Sequence, residues 1–393
     1  MTFTKDGDRY LVVNRHDHID LSGFTFDWSV TEDGIETARG VLRAPHVDPG
    51  ESGALELQLP VAVDETAERL LTLRARAKKG TVPTQPAGHV VGWEQFALGE
   101  HRSLLEHRGS VLPQETEKGL ALSAAGTVIE IDRHTGLVIR YDRDGRTLLT
   151  GGAPNFWRAP TDNDIGAGVP KTHAMWQHFS EHRRVEAVTR RATASSCAMT
   201  WASDRLRWRP AGPCNPTGPR VPSSVLTPSR HAAGPLRLGL AFQTSPALDQ
   251  VRWFGRGPHE TYSDRKTGGM VGRWSGSLAD QYHDYARPQE SGNKSDVRWL
   301  ELSGGGSGLR VTGEQPLSVN ALAFPYADLA MKPFGTRRSS AIRSQGNGTL
   351  LIDAAQAGVG GDTGWNLDGR PHMPFRIPLK SVTWSFTIGR PGD

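Results

Sequence analysis

The sequence predicts an all-β protein of two domains. Three observations carry that reading. Apolar and polar residues alternate at period two through most of the chain, and Gly, Pro and Asx clusters punctuate the alternation at short intervals. At 393 residues the chain also exceeds one usual domain. Apolar content of 36% with 7% aromatic residues is that of a globular protein.

The first strands begin near Arg9. Phe24, Phe26, Trp28 and Val30 alternate with Thr25, Asp27 and Ser29, and Asp33-Gly34 closes the run as a hairpin turn. Leu55, Leu57 and Leu59 repeat the pattern, as do Leu71, Leu73 and Ala75 against Thr72, Arg74 and Arg76. Short alternating strands over residues 1–98 predict a small antiparallel sandwich of immunoglobulin type. His16 and His18 flank Asp17 at its start and would share a strand face; with no third ligand evident, a structural role is the better reading than a metal site.

Residues 99–118 are polar and aperiodic, include Pro113, and read as a linker. A second β-domain then starts, with alternating segments flanking His134-Thr135-Gly136 and a further turn at Asp144-Gly145. The stretch 155–166 (NFWRAPTDNDIG) mixes aromatic, Arg, Pro and Asx residues, which predicts a fixed loop. Residues 172–183, with Trp176 and Phe179, read as a short helix.

Residues 195–236 break the pattern. Seven of the 26 prolines fall between Pro210 and Pro235, and both cysteines, Cys197 and Cys214, lie here. Proline at that density excludes central strands. Either an irregular insertion or a slipped coding frame that recovers near Leu238 accounts for it. The frame slip is the preferred reading, with one or two strands lost.

From Leu238 the alternation resumes. Stretches 253–273 (WFGRGPHETYSDRKTGGMVGR) and 285–302 (YARPQESGNKSDVRWLEL) combine glycines, which allow close backbone approach, with Arg, Glu and Gln of the kind that hydrogen-bond sugars. For Arg256, Glu260, Arg265 and Arg273, a network tying loops together is the better account. Last comes 358–365 (GVGGDTGW), preceded by Leu350, Ile352 and Ala354 and followed by a predicted strand in which Val382, Trp384, Phe386 and Ile388 alternate with Thr383, Ser385 and Thr387. A loop presented by strands can aim Trp365 at a ligand, and an indole suits the apolar C–H face of a sugar. On pattern alone, filling a core gap is an equal alternative for Trp365.

Composition also excludes function classes. The net charge of +4 comes from scattered Lys and Arg nearly matched by acidic residues, and no nucleic-acid-binding motif is present, so no nucleic-acid partner is expected. No apolar run reaches the roughly 18 residues that span a bilayer, and the N-terminus is polar, so a cytoplasmic protein without membrane association is expected. Two cysteines make neither a disulfide framework nor a metal motif.

Taken in register, the stretches 155–166, 253–273, 285–302 and 358–365 resemble the C-terminal part of a bacterial β-galactosidase of glycoside hydrolase family 2. The first hundred residues resemble the immunoglobulin-like domain that follows the catalytic barrel in that family. Residues from about 119 to 393 resemble its final domain, a large antiparallel β-supersandwich of galactose mutarotase-like type, also called the small chain. The resemblance implies that Trp365 reaches into the active site of the barrel as an apolar platform for a terminal β-D-galactoside such as lactose. It places a weak sodium site near the backbone of Arg287 and Pro288. Magnesium and sodium are expected for the complete enzyme, and no cofactor for this chain.

No catalytic residue is assigned here. Retaining glycosidases use two carboxylates about 5–5.5 Å apart. In the family both glutamates come from a (β/α)₈ barrel of about 250 residues, and no comparable alternation of strand and amphipathic helix occurs in this chain. The expectation is a β-galactosidase component acting with a large chain or catalytic barrel in an oligomeric enzyme, with an unusually apolar exposed face where the barrel docks. The alternatives are a non-catalytic carbohydrate-binding β-sandwich and an inactive gene remnant. An aldose epimerase, suggested by the similar fold, lacks a convincing His and Glu pair.

Overall fold

The computed structural model describes residues 1–99, 114–124, 126–182, 184–190, 196–203, 206–208, 211–215, 218–219, 223–226, 233–330, 342, 346–380 and 382–392, with backbone alone between 184 and 226. The chain forms two compact units, Met1–Arg102 and Ser103–Asp393.

In the first unit, strands β1 (Thr2–Asp6), β2 (Arg9–Val13) and β5 (Ser52–Leu55) form one sheet. Strands β3 (Phe24–Glu32), β4 (Ile35–Leu42), β6 (Arg69–Ala77) and β7 (Val90–Ala97) form the other, in the order β4-β3-β6-β7. Period-two alternation decides which residues meet between them: Phe24, Phe26, Leu71 and Leu73 from one sheet and Phe3, Tyr10, Val12 and Leu55 from the other share one core. Asp33 and Gly34 both take positive φ (47° and 76°) in the β3–β4 turn, as a tight hairpin turn requires. The strand expected to run through Leu57 and Leu59 stops at Leu55, opposite Tyr10; β2 begins one residue further on, at Arg9, and has no position to pair with Leu57 or Leu59.

In the second unit, β8 (Gln114–Glu115), β9 (Gly119–Ala124), β10 (Thr127–Asp132), β11 (Val138–Arg143) and β12 (Arg146–Asn155) run as an antiparallel meander. Helices α1 (Asp162–Gly166), α2 (Val169–Thr172) and α3 (Ala174–Glu181) follow, and the fully buried Trp176 anchors α3 against Phe156. The later strands are β13 (Arg184–Arg190), β14 (Ser196–Ser203), β15 (Leu206–Trp208), β16 (Ala211–Asn215), β17 (Gly218–Pro219), β18 (Ser223–Leu226), β19 (Arg237–Thr244), β20 (Gln250–Gly257), β21 (Met270–Ser277), β22 (Lys294–Gly304), β23 (Ser307–Leu322), β24 (Gly348–Gln356), β25 (Thr383–Trp384) and β26 (Phe386–Gly389).

Among the described residues they make a 12-stranded antiparallel sheet, ordered β21-β20-β22-β23-β24-β19-β12-β11-β10-β9-β8 with β26 on β23. A seven-stranded sheet is ordered β17-β16-β14-β15-β18-β25, with β13 on β14. The protein is therefore all-β, with a large antiparallel sheet system in its second unit. Leu238, Leu240, Phe242, Leu300, Val319, Leu350 and Ile352, from the middle of the large sheet, line one continuous core with Trp384 and Phe386.

Three expectations about elements change. The linker cannot extend to residue 118, because β8 already pairs with β9 in the large sheet (Gln114 opposite Ala121); residues 100–113 lie outside the described residues. Proline does not exclude strands from 195–236. Pro213 sits in β16 opposite Ser196, and Pro219 in β17 opposite Cys214, in strands of two to eight residues. Such short pairings leave few ladder positions where a missing N–H matters. The preferred frame slip concerns this same segment, of which 195, 204–205, 209–210, 216–217, 220–222 and 227–232 lie outside the described residues. Finally, the strand expected over 382–388 is two strands. β25 pairs with β18 in the smaller sheet and β26 pairs with β23 in the larger one, and the chain changes sheet at the buried Ser385, whose hydroxyl bonds Glu314.

Candidate functional site

The stretch after β24 is where the sequence motifs converge. Its anchor is α1. Thr161 and Asp164 form a reciprocal capping box, so the short helix starts at a defined residue. Arg158 then clamps Asp164 with two parallel bonds (Nε to Oδ2 at 3.0 Å, Nη2 to Oδ1 at 2.9 Å) at 0% and 1% exposure, and donates to the Ala357 carbonyl at 2.8 Å. This single guanidinium ties 155–166 to the end of β24.

Further contacts fix the loop beyond it. Asn163 donates to the Thr363 carbonyl at 3.1 Å and Thr161 to the Val359 carbonyl at 3.5 Å. Asp264, from the stretch 253–273, accepts from the Gly360 N–H at 2.9 Å. Gly166 lies so close to the loop that a Cβ would sit 1.8 Å from the Gly364 carbonyl oxygen. Asp162 pairs with Arg287 at 2.5 Å and its N–H donates to Gln289 at 3.2 Å, which brings in the fourth stretch. Within the loop, Asn366 accepts from the Asp368 N–H and the Thr363 hydroxyl, both at 2.9 Å, closing a turn right after Trp365.

Trp365 itself is 89% exposed, which rules out the core-filling alternative. A backbone held by these contacts presents an indole largely open to solvent.

Behind the loop lies a charge network that sequence reasoning missed. Arg237 is fully buried and donates to Asp353 (2.9 Å), Glu290 (3.1 Å) and Gln356 (2.9 Å), while Tyr326 donates to Glu290. Burial pushes the Asp353 carboxyl up to about 6, against the pull of Arg237 and with a further push from Glu290. Burial, then Glu290, also raises the Tyr262 and Tyr326 phenols. The network joins β19, β24 and the lead-in to β22, and it is closed to ligands. Asp353, in the otherwise apolar run Leu350 to Ala354, was the available signal: an acid in a central strand demands a buried cation.

The remaining sequence candidates do structural work. Glu260 accepts from Tyr285, Arg265, Ser291 and the Gly292 N–H; Arg256 bonds Asp296 at 2.6 Å; and Arg273 stacks on Trp299. His16 lies flat on Phe24, with ring centroids 5.3 Å apart. At the backbone of Arg287 and Pro288, the Arg287 carbonyl already accepts from Gln289 at 3.4 Å and the Arg287 guanidinium is held on Asp162. Among the described residues no three His, Cys, Asp or Glu side chains group at metal-binding distance, and no helix is long and apolar enough to cross a membrane.

Comparison with known proteins decides the family. Residues 123–388 match the family described as β-galactosidase small chain, and residues 10–99 match β-galactosidase domain 4. The chain belongs to the β-galactosidase small-chain family. Among curated relatives, it is 29% identical to a β-galactosidase of Priestia megaterium over 97% of this chain and 37% of that one. It is 27% identical to β-galactosidase 2 of Enterobacter cloacae (92% of this chain, 36% of that one) and to a β-galactosidase of Lactobacillus delbrueckii subsp. bulgaricus (94% and 36%). The chain thus spans about a third of the length of the relatives it matches. The small-chain match contains strands β10 to β25 and the Trp365 loop together.

Proposed function

We propose that this chain is the sugar-platform component of a β-galactosidase, a retaining glycoside hydrolase acting on terminal β-D-galactosides. The observation that carries this reading is Trp365: an indole 89% exposed, on a loop pinned from Arg158, Asn163, Gly166 and Asp264. Aromatic faces bind the C–H face of sugars, and a pre-positioned face loses little entropy on binding. Its part in the reaction is to orient the sugar ring and exclude water on one side. The two carboxylates of a retaining mechanism would come from a catalytic barrel supplied with the rest of the enzyme. Around the loop, Asp164 pairs with Arg158, Asp162 with Arg287 and Asp362 with His372, and one oxygen of Asp264 accepts from the Gly360 amide.

The test is assembly of this chain with a catalytic-barrel chain and measurement of galactoside hydrolysis. Trp365→Ala should raise KM or lower kcat/KM by roughly tenfold or more, the scale of one lost aromatic contact. It should leave the chain's own stability within about 0.5 kcal/mol, because the side chain is exposed. Unchanged kinetics in the assembled enzyme would end the platform reading.

A further inference from the structure

A concave site lies at the end of the same loop, between Ala357 and Arg370, and Trp365 takes no part in lining it. It is a cavity of about 380 Å³, near the lower end of the range of small-molecule sites. Val169, Leu236, Ala357, Ile377 and Leu379 supply apolar walls, and Arg370, Arg376, His173 and Asp164 are the ionisable groups at its surface.

The charge of this cavity is unbalanced. Asp164 also lines it, but both of its oxygens are taken by Arg158, and one accepts from the Thr161 N–H as well. Arg370 has no side-chain hydrogen bond or ion pair among the described residues, and its Nε is buried without a partner. Arg376 donates to the Pro371 carbonyl at 2.5 Å and has no carboxylate partner among them. Burial and the Arg370 charge hold the His173 imidazole below its usual range, so it adds no charge at neutral pH, and its Nδ1 is 2.8 Å from the Thr172 hydroxyl. A buried guanidinium nitrogen with no acceptor, beside apolar walls, is an incomplete arrangement.

We propose that this cavity is an accessory binding site for a small amphipathic carboxylate, with the carboxylate on the Arg370 guanidinium and an apolar body on the order of ten non-hydrogen atoms against the walls. A bare inorganic anion satisfies Arg370 but leaves the apolar walls wet; a neutral apolar ligand does the reverse. The site is coupled to the Trp365 loop by covalent continuity. Arg370 follows the turn Leu367–Gly369 directly, and its carbonyl abuts Gly361, where a Cβ would meet it at 2.4 Å. The proposal is independent of any role for Trp365 in binding sugar.

The test is calorimetric titration of the full chain with 4-phenylbutyrate, 4-phenylbutanol and inorganic phosphate. The acid should bind more tightly than the matched alcohol by roughly tenfold to a hundredfold, the range of one charge-assisted hydrogen bond, and more tightly than phosphate. Arg370→Gln should erase the preference for the acid, and Arg370→Lys should restore part of it. Met373 lines the cavity and is 72% exposed, so Met373→Trp can narrow the opening without disturbing the core and should weaken the acid several-fold. Circular dichroism establishes that each variant is folded; should Arg370→Gln not fold, Met373→Trp and the acid–alcohol comparison decide. Equal affinity for acid and alcohol, undiminished acid binding in Arg370→Gln, or no acid binding at millimolar concentration would overturn the proposal.

Discussion

An indole left 89% exposed forgoes burial worth on the order of 3 kcal/mol, and Trp365 does so a few residues from a core that buries Trp176, Trp253 and Trp384 almost completely. Nearby residues take the opposite course. Arg158 and Arg237 are at 0% exposure and are retained only because carboxylates meet them with bonds of 2.9–3.1 Å. Lys294 is the exception. It is 4% exposed, lies 5.2 Å over the Trp253 ring, and donates to the Gly292 carbonyl at 3.1 Å. Burial lowers its ammonium to about 8, with Glu260 pulling the other way. The folded state therefore disfavours the charged form relative to the unfolded chain. That penalty is complete below pH 8 and is relieved as pH rises from 8 towards the unfolded value of 10.5, so stability from this group increases over that window. Lys294→Met should raise stability at pH 7 by on the order of 1–3 kcal/mol, measured by urea unfolding, and the gain should shrink towards pH 10. A variant less stable at every pH would show that the indole and carbonyl contacts outweigh the burial penalty.

At the scale of elements, the Trp365 loop is positioned by close approach as much as by hydrogen bonds. Gly166 closes α1 against the Gly364 carbonyl with no room for a side chain. Gly166→Ala must displace one of them. The expected cost is about 1–3 kcal/mol, together with a change in the intrinsic fluorescence contributed by Trp365, read as the difference from the same substitution made in a Trp365→Phe background. Full stability with unchanged fluorescence would mean that the loop is not gripped at this point. The strands were legible where alternation and a partner coincide, as in β3 with its Asp33-Gly34 turn and in β24 leading to the loop. Reading failed where the partner decides. Leu57 and Leu59 keep the alternation but have no strand beside them, and the run 382–388 alternates through a point where the chain passes from one sheet to another. Proline in β16 and β17 was misread for the same reason, since its penalty depends on which N–H groups a neighbour requires.

For the whole molecule, the matched relatives are about three times as long, and the surface of this chain is consistent with further contacts. Trp365, Leu367, Met373 and Phe375, exposed by 36% to 89%, fall within one stretch of the second unit. Such a concentration of apolar side chains favours association. The isolated chain should self-associate in a concentration-dependent way in sedimentation velocity, and Leu367→Ser with Met373→Ser should reduce that association while leaving thermal stability within about 0.5 kcal/mol. A monomer at all concentrations, unaffected by the pair, would remove this stretch as a docking face.

Alternation, turn residues and four motif stretches were enough, without coordinates, to establish the all-β class and the family, because both are written in local patterns of the chain. Whether Trp365 is buried was not written there: the same seven residues, 359–365, suit a buried plug and an exposed ring equally. Only the tertiary structure separated them, by bringing Arg158, Asn163, Gly166 and Asp264 from distant positions onto one loop and leaving the indole outside. The buried Arg237 network and the Arg370 cavity belong to the same category. Burial and charge balance are properties of the neighbours a residue acquires on folding, and those neighbours are distant in sequence, as Gln356 is from Arg237 and His173 from Arg370.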